Sequence, residues 1–427
     1  MSAVAPPASR VAQAPRGLPR LLSGLDTSGL PMRLAEHERI HGPVSAPPPG
    51  ELTELVARSG LRGRGGADFP TAQKLRSVTG GRRRRPVVVV NGSETEPGSH
   101  KDRLLLTRLP HLVLDGAGLA AGAVGATAVI VKISETAVGA LRALEEAIAE
   151  RPAGGVSFTV AAGPAGYVTG EETAVLSFLE GGRSVPRSVP PRPYERGLRG
   201  RPTLIQNPET LAQIALVARH GSRWYRELGT EADPGSALVS IGGAVGAPGV
   251  YELAFGTSMR NLLAAAGGVT EPLQALLVGG YFGSWIDGAP ALELRLARED
   301  LRSAGSALGS GMLFALGESA CGIHESARVV DYLASQSAGQ CGPCVHGLAA
   351  IAASFSALAD GVAHRSERAR LLRWCDEVSH RGACHHPDGV VRFVRSALTE
   401  FGERPGHSRA RCGAPPAGLP LPTVRAR

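Results

Sequence analysis

The apolar positions of this chain fall into short unbroken β-branched runs alternating with helical stretches. Pro86–Val90, Thr127–Val131 and Val156–Val160 read as buried strands. Between them, Leu109–Ala121 and Glu135–Ala149 repeat apolar residues at helical spacing. Strand, helix, strand, helix, strand is the signature of an α/β fold with a parallel sheet covered by helices. Leu52–Ser59 and Thr173–Leu179 add short helices, and the Gln206–Thr210 turn opens another. From Ala237 the pattern changes. Ala237–Ile241 and Gly249–Leu253 read as strands around a turn, followed by a helix at Met259–Ala266 and a strand at Ala275–Val278. Beyond Glu318 helical periodicity dominates, in Glu318–Ser335, Val345–Leu358, Ser366–Val378 and Val390–Phe401, which suggests a bundle.

The resulting organisation is an extended Pro-, Ala- and Arg-rich leader (1–50), an α/β domain (51–230), a small β-grasp-like module (236–300), a helical domain (305–402) and a tail (403–427). At 427 residues the chain is too long for one core. Its net charge of +8 comes from arginine, with only three lysines, Lys74, Lys101 and Lys132. In such a background a retained lysine points to a need for a compact ammonium, which makes Lys74 and Lys101 informative. Six cysteines in so long a chain are no disulfide framework. Residues 1–30 lack an apolar signal-peptide core, and the stretch 111–131 is broken by Asp115 and glycines. The expected location is cytoplasmic, peripheral at most to a membrane complex and without direct insertion.

Polar turns that follow apolar strands carry the candidate chemistry. Arg62-Gly63-Arg64-Gly65-Gly66 and Lys74 form a glycine loop flanked by cations, able to aim backbone N–H groups at an anion. Asp68 is out of character there. Asn91 through Gly98, with Glu94 and Glu96, supplies groups suited to ribityl or ribose hydroxyls. In the turn Tyr167-Val168-Thr169-Gly170-Glu171-Glu172 the two carboxylates read, on the residues alone, as helix N-terminal charges favoured by the dipole. Cys341-Gly342-Pro343-Cys344 and Cys384 can hold zinc or an iron–sulfur cluster, with Cys375, His346, His385 or His386 as a fourth ligand. Cys321 reads as a buried apolar side chain and Cys412 as a tail thiol. A zinc-stabilised nucleic-acid binder ranks low: the Arg82–Arg85 run lacks interleaved aromatics.

In this order, from about Leu55 to Phe401, these motifs resemble the flavin-carrying, NADH-oxidising subunit of respiratory complex I (the 51 kDa or F family) and its relatives in soluble hydrogenases and formate dehydrogenases. The resemblance implies a Rossmann-like FMN-binding domain, a soluble-ligand-binding β-grasp domain and a four-helix iron–sulfur domain. It implies FMN surrounded by Gly63, Arg64, Gly65, Lys74, Asn91, Glu94, Tyr167, Gly170, Glu171, Glu172 and Asn207, with Lys74 and Arg64 adding charge near the phosphate and Glu96 retained from the nicotinamide site. It implies a [4Fe–4S] cluster on cysteines at the positions of Cys341, Cys344 and Cys384, but the family's first cysteine is Ala338 here, which leaves [3Fe–4S] open. The family has Gly at Asp68, Asp at Ser93 and Asn at Gln206. Its nicotinamide-site aromatic, lysine and phenylalanine fall at Ser77, Val189 and Arg192. The expectation is an FMN and iron–sulfur electron-transfer subunit, oxidoreductase in class, with impaired NADH binding. Its redox partner would be a protein such as a ferredoxin or another oxidoreductase subunit, and no nucleic acid is expected. The alternative is a degenerate paralogue acting in docking or assembly. Lys74, Glu94, Tyr167, Glu171 and Glu172 speak against it, because a fold alone should not need that polar set.

Overall fold

A computed structural model of the chain describes residues 17–48, 50–79, 84–152, 154–361, 366–402 and 417–422. Cys412, Arg82 and Arg83 lie outside the described residues. The chain divides into two compact units, one formed by residues 1–95, 100–239 and 250–257, the other by residues 96–99, 240–249 and 258–427.

The first unit is built on a four-stranded sheet of β1 (Val87–Gly92), β2 (Ala128–Ser134), β3 (Ser157–Gly163) and β4 (Thr203–Gln206), in the order β3-β2-β1-β4. Every pairing is parallel, with Val88 opposite both Val129 and Leu204. Both faces are covered, which is why β1 reads as an unbroken valine run rather than an alternating one. Val88, Val90, Val131 and Leu204 join the main core with Leu112 and Leu211 from the helices Pro110–Val124 and Pro208–Arg226. Val87, Val89 and Ile205 pack on Val175 and Leu176 of the helix Glu172–Leu179. The helices Pro110–Val124 and Pro208–Arg226 approach backbone to backbone: a Cβ on Gly116 would lie 1.8 Å from the Leu211 carbonyl oxygen. Only glycine fits there.

The described part of the leader is not extended. Leu34–His41 is a helix, and Leu21, Leu22 and Met32 are buried in the main core. His37 holds it to the helix Pro110–Val124 through Asp115, Nε2 to Oδ2 2.7 Å, and Arg151 and Arg219 bind the same carboxylate. The periodicity of eight residues flanked by prolines was too short to register. Strand β4 was also unforeseen, because four residues inside a Pro- and Arg-rich stretch show no period.

The strands β5 (Ser236–Gly243) and β6 (Gly249–Ala254) match the expected pair to within a few residues. In the second unit, β5 runs parallel to β9 (Met312–Gly317), while β7 (Leu273–Val278) pairs antiparallel with both β9 and β8 (Ser284–Asp287). Strand β9 lies inside the segment expected to be helical. The helices Gly322–Ser335, Ala349–Ala359, Glu367–Val378 and His386–Phe401 follow, with a π-helical turn at Pro343–Leu348. Among the described residues no single helix is long and apolar enough to cross a membrane.

Candidate functional site

The strands β1, β2 and β3 step outward in one direction, and β4 then joins the opposite side of β1. The order reverses between β1 and β4, and a crevice outside the carboxyl ends of the strands at such a reversal is where open parallel sheets take ligands. The glycine loop belongs there. It is closed by Gly63 N–H to the Phe69 carbonyl, 2.8 Å, and by a bridge between Arg62 and Pro70. A Cβ on Gly65 would lie 3.3 Å from Cβ of Asn207, which follows β4. Asn91, at the end of β1, donates from Nδ2 to the Gly170 carbonyl at 2.8 Å. Gly63, Gly65, Asn91, Gly170 and Asn207, far apart in sequence, are thereby brought to one end of one sheet.

The charged side chains are engaged more than the motifs suggested. Glu94 accepts the N–H groups of Asp102 and Arg103, both at 2.8 Å, at the start of the helix Lys101–Arg108. Burial and the neighbouring Asp102 push its carboxyl up to about 7. Glu171 accepts from Thr173 N and Ala174 N at 2.9 Å and caps the helix Glu172–Leu179. The Asn207 Oδ1 caps Pro208–Arg226 through Glu209 N, 2.9 Å. Each satisfies backbone donors that a helix start leaves unpaired. The fold itself therefore uses Glu94 and Glu171, two of the five polar side chains expected to serve only a cofactor.

Arg64 is a further correction. Its guanidinium is buried, within 3.2 Å of the Tyr225 hydroxyl, 3.8 Å of Glu209 and over the Phe255 ring at 4.5 Å. It serves the core rather than a phosphate. Asp68, with φ +48°, accepts from Arg62 Nε at 2.7 Å. Lys74 is bound to Glu172. Tyr167 is buried at the head of a 3-10 turn. Glu96 belongs to the second unit, where it accepts the Tyr281 N–H at 2.9 Å.

Besides the buried Arg64 Nε, which has no hydrogen-bond partner among the described residues, three polar groups in this region are under-satisfied. The Thr71 hydroxyl, first in the helix after the glycine loop, and the Gln206 side-chain nitrogen, last in β4, are buried with no hydrogen-bond partner among the described residues. Buried donors without partners are rare in folded proteins, and a bound ligand is one explanation. The third is Lys132, fully buried, with a single hydrogen bond to Ser93 Oγ at 2.8 Å. The rarity that singled out Lys74 and Lys101 applied equally to Lys132 and was the signal that could have found it. A glycine-walled crevice with free donors and Lys74 at its edge fits a phosphorylated, hydroxyl-bearing cofactor such as FMN.

In the second unit, Cys344 is buried in the π-helical turn. Burial, then Cys341 and Cys384, push its thiol up to about 12, so the three expected cysteines are neighbours. Ser337, next to Ala338, hydrogen-bonds the Cys344 sulfur. Cys375 is buried apart from them, beside Arg395 and Asp376, and His386 binds the Leu333 carbonyl at 2.8 Å. His385 is almost fully exposed. Cys321 is buried, as expected. Among the described residues no three His, Cys, Asp or Glu side chains converge tightly enough for a single metal ion. A cluster asks less convergence, because each thiolate binds a different iron. Three neighbouring thiols are the donor type that an iron–sulfur cluster takes.

Residues 56–216 match the family model of the Nuo51 FMN-binding domain, 238–280 that of the SLBB domain, and 324–406 that of the NADH-ubiquinone oxidoreductase-F iron–sulfur binding region. The chain is 35% identical over 368 residues to the second F subunit of the NADH-quinone oxidoreductase of Rhizobium meliloti, covering 83% of this chain and 87% of the relative. The F subunit of the Streptomyces coelicolor NADH-quinone oxidoreductase is 33% identical over 375 residues, 83% of this chain and 82% of the relative. The crystal structure of an NAD+-reducing [NiFe]-hydrogenase in its air-oxidised state superposes with a TM-score of 0.76 at 31% identity; the match covers 82% of this chain but only 61% of that one. The parallel sheet with its reversal between β1 and β4, the cysteine group and these likenesses together establish that the chain belongs to the family of NADH-quinone oxidoreductase F subunits, flavoprotein and iron–sulfur oxidoreductase components of electron transfer.

Proposed function

We propose that this chain carries FMN in the crevice at the carboxyl ends of β1 and β4 and an iron–sulfur cluster on Cys341, Cys344 and Cys384, and that it exchanges electrons with a protein partner while capturing NADH poorly. The partner is a ferredoxin or another oxidoreductase subunit. The flavin, when bound, supplies the conversion between two-electron and one-electron transfer. The protein contributes the close backbone approach that Gly63 and Gly65 allow, the Lys74 ammonium for the phosphate, and Asn91, Tyr167, Gly170 and Asn207 around the remainder. Glu94, Glu171 and Glu172 bound the crevice as caps and as the Lys74 partner. In the same reading, residues 51–230 form the FMN domain, the strands from 236 onward a β-grasp module and the last helices an iron–sulfur bundle.

The observation that carries this reading is the pair of unsatisfied buried donors, Thr71 Oγ1 and Gln206 Nε2, in elements that border the glycine loop. Weak NADH capture rests on three positions. Ser77 is a small residue bonded to the Lys74 carbonyl, Val189 is exposed, and the Arg192 N–H is tied to Glu195 at 2.7 Å. None offers an aromatic face for stacking. The test is an absorbance spectrum with flavin and iron analysis of the purified chain, followed by NADH in the same cuvette. A yellow, iron-containing protein that bleaches slowly is expected. A colourless protein that takes up no FMN overturns the proposal, and fast bleaching overturns weak NADH capture.

A second reading, a non-catalytic paralogue in docking or assembly, draws support from the capping roles of Glu94, Glu171 and Asn207. Those three would persist in a chain without cofactors. The same spectrum decides between the two.

A further inference from the structure

Lys132 is 0% exposed, toward the carboxyl end of β2 and opposite Asn91. Its ammonium donates to Ser93 Oγ at 2.8 Å, Ser93 Oγ donates to Asn91 Oδ1 at 2.7 Å, and Asn91 Nδ2 donates to the Gly170 carbonyl at 2.8 Å. The dipoles of this chain all run one way, from the ammonium toward the crevice, and each bond polarises the next. Among the described residues no carboxylate is in ion-pair range of Lys132. The Lys132 stem packs near Phe178: a Cβ on Gly163 would meet both. Burial, opposed by Glu135, lowers the ammonium to about 8, so it remains a cation at neutral pH. A lone buried charge with a neutral hydroxyl as its partner is costly and calls for an explanation.

We infer that Lys132, acting through Ser93 and Asn91, is a positioning residue that tunes the bound flavin, its uncompensated charge favouring the anionic reduced form and so raising the flavin's reduction potential. The inference rests on the FMN reading above. The positive field reaches the crevice through low-dielectric surroundings and an aligned hydrogen-bond chain, where charge acts more strongly than in water. Lys132 does not touch the flavin and takes part in no transfer step. A structural role alone would make the lysine replaceable by any side chain that fills its volume without effect on the potential.

The experiment measures the reduction potential of FMN bound to the full-length protein at pH 7, by spectroelectrochemical titration with redox dyes, in the wild type, Lys132→Met, Lys132→Arg and Ser93→Asp. Lys132→Met removes the charge and Ser93→Asp gives it a counter-ion. Both are expected to lower the affinity for reduced relative to oxidised FMN by about tenfold, which for a two-electron couple is about 30 mV. Lys132→Arg is expected to keep the wild-type value. FMN bound with the same potential in all four proteins overturns the role of Lys132 and leaves the flavin reading intact. A wild type that binds no FMN overturns both. If Lys132→Met does not fold, Ser93→Asp alone decides.

Discussion

Two buried lysines at the same end of the sheet show opposite solutions to one problem. Lys101 is 3% exposed and lies 2.9 Å from Asp102 and 3.0 Å from Glu209. Those carboxylates are anchored in turn, Asp102 by Asn207 at 2.6 Å and Glu209 by Leu238 N at 2.9 Å. Burial works against the Lys101 charge, but the two carboxylates outweigh it and raise its pKa above the ordinary value. Lys132 is buried as deeply, has a hydroxyl where Lys101 has carboxylates, and is lowered to about 8. The first charge is part of the scaffold that sets Asn207 and the start of Pro208–Arg226. The second is a cost to folding, which selection tolerates when it serves a site. Burial alone does not separate structure from function; the completeness of the partner set does.

The largest effect that would test this contrast comes from removing each charge. Lys101→Met leaves Asp102 and Glu209 buried against each other, and a loss of about 3–5 kcal/mol in urea unfolding is expected. Lys132→Met should be neutral or stabilising by up to about 3 kcal/mol, since it abolishes an unpaired buried cation. Equal destabilisation by both would break the comparison.

Nearly as large is the pH dependence. Below pH 8 Lys132 is protonated in both folded and unfolded chains, and its full cost is present. Between about 8 and 10.5 the unfolded chain holds a proton that the folded one has lost, so stability rises with pH, by up to about 3 kcal/mol. Lys101 has the opposite sign: its contribution is complete below 10.5 and falls only above. Unfolding curves of the wild type minus Lys132→Met across pH 7–10 should show the rise. A flat difference would mean that Lys132 has a counter-charge in solution.

At the proposed cluster, Ala338→Cys adds a fourth cysteine beside Ser337, and iron analysis is expected to rise by about one atom per chain. No change would indicate that Ser337, which bonds Cys344, or another group already completes the site. The smallest effect is at the glycine loop. Asp68→Gly relieves a positive φ, worth about 1 kcal/mol, but loses the half-exposed Arg62 pair, worth about 0–1 kcal/mol. Stability should stay within about 1 kcal/mol, while FMN should bind more tightly once the carboxylate is gone. Unchanged FMN affinity would show that the Arg62 pair already screens Asp68.

Much of this was legible in the chain. The valine run and the helical periods between strands each carry a local physical signal, and the strands and helices lie where those signals put them. What failed was short or long-range. Leu34–His41 and β4 are too brief to show a period, and their stability comes from what they pack against. Arg64 was misassigned because a cation in a glycine loop looks alike whether it turns outward or inward, and Tyr225, Glu209 and Phe255, which hold it inward, lie far along the chain.

By itself the sequence determined β1, β2 and β3 with the helices between them, the glycine loop and the Cys341–Cys344 spacing, because these depend on local spacing and residue type. Only the tertiary structure decided how most charges are employed: Glu94 as a helix cap, Arg64 as a core cation, Lys101 as a neutralised scaffold charge and Lys132 as one without an ion-pair partner among the described residues. Charges interact through space and burial, and the partners that set their roles are brought together by the fold alone.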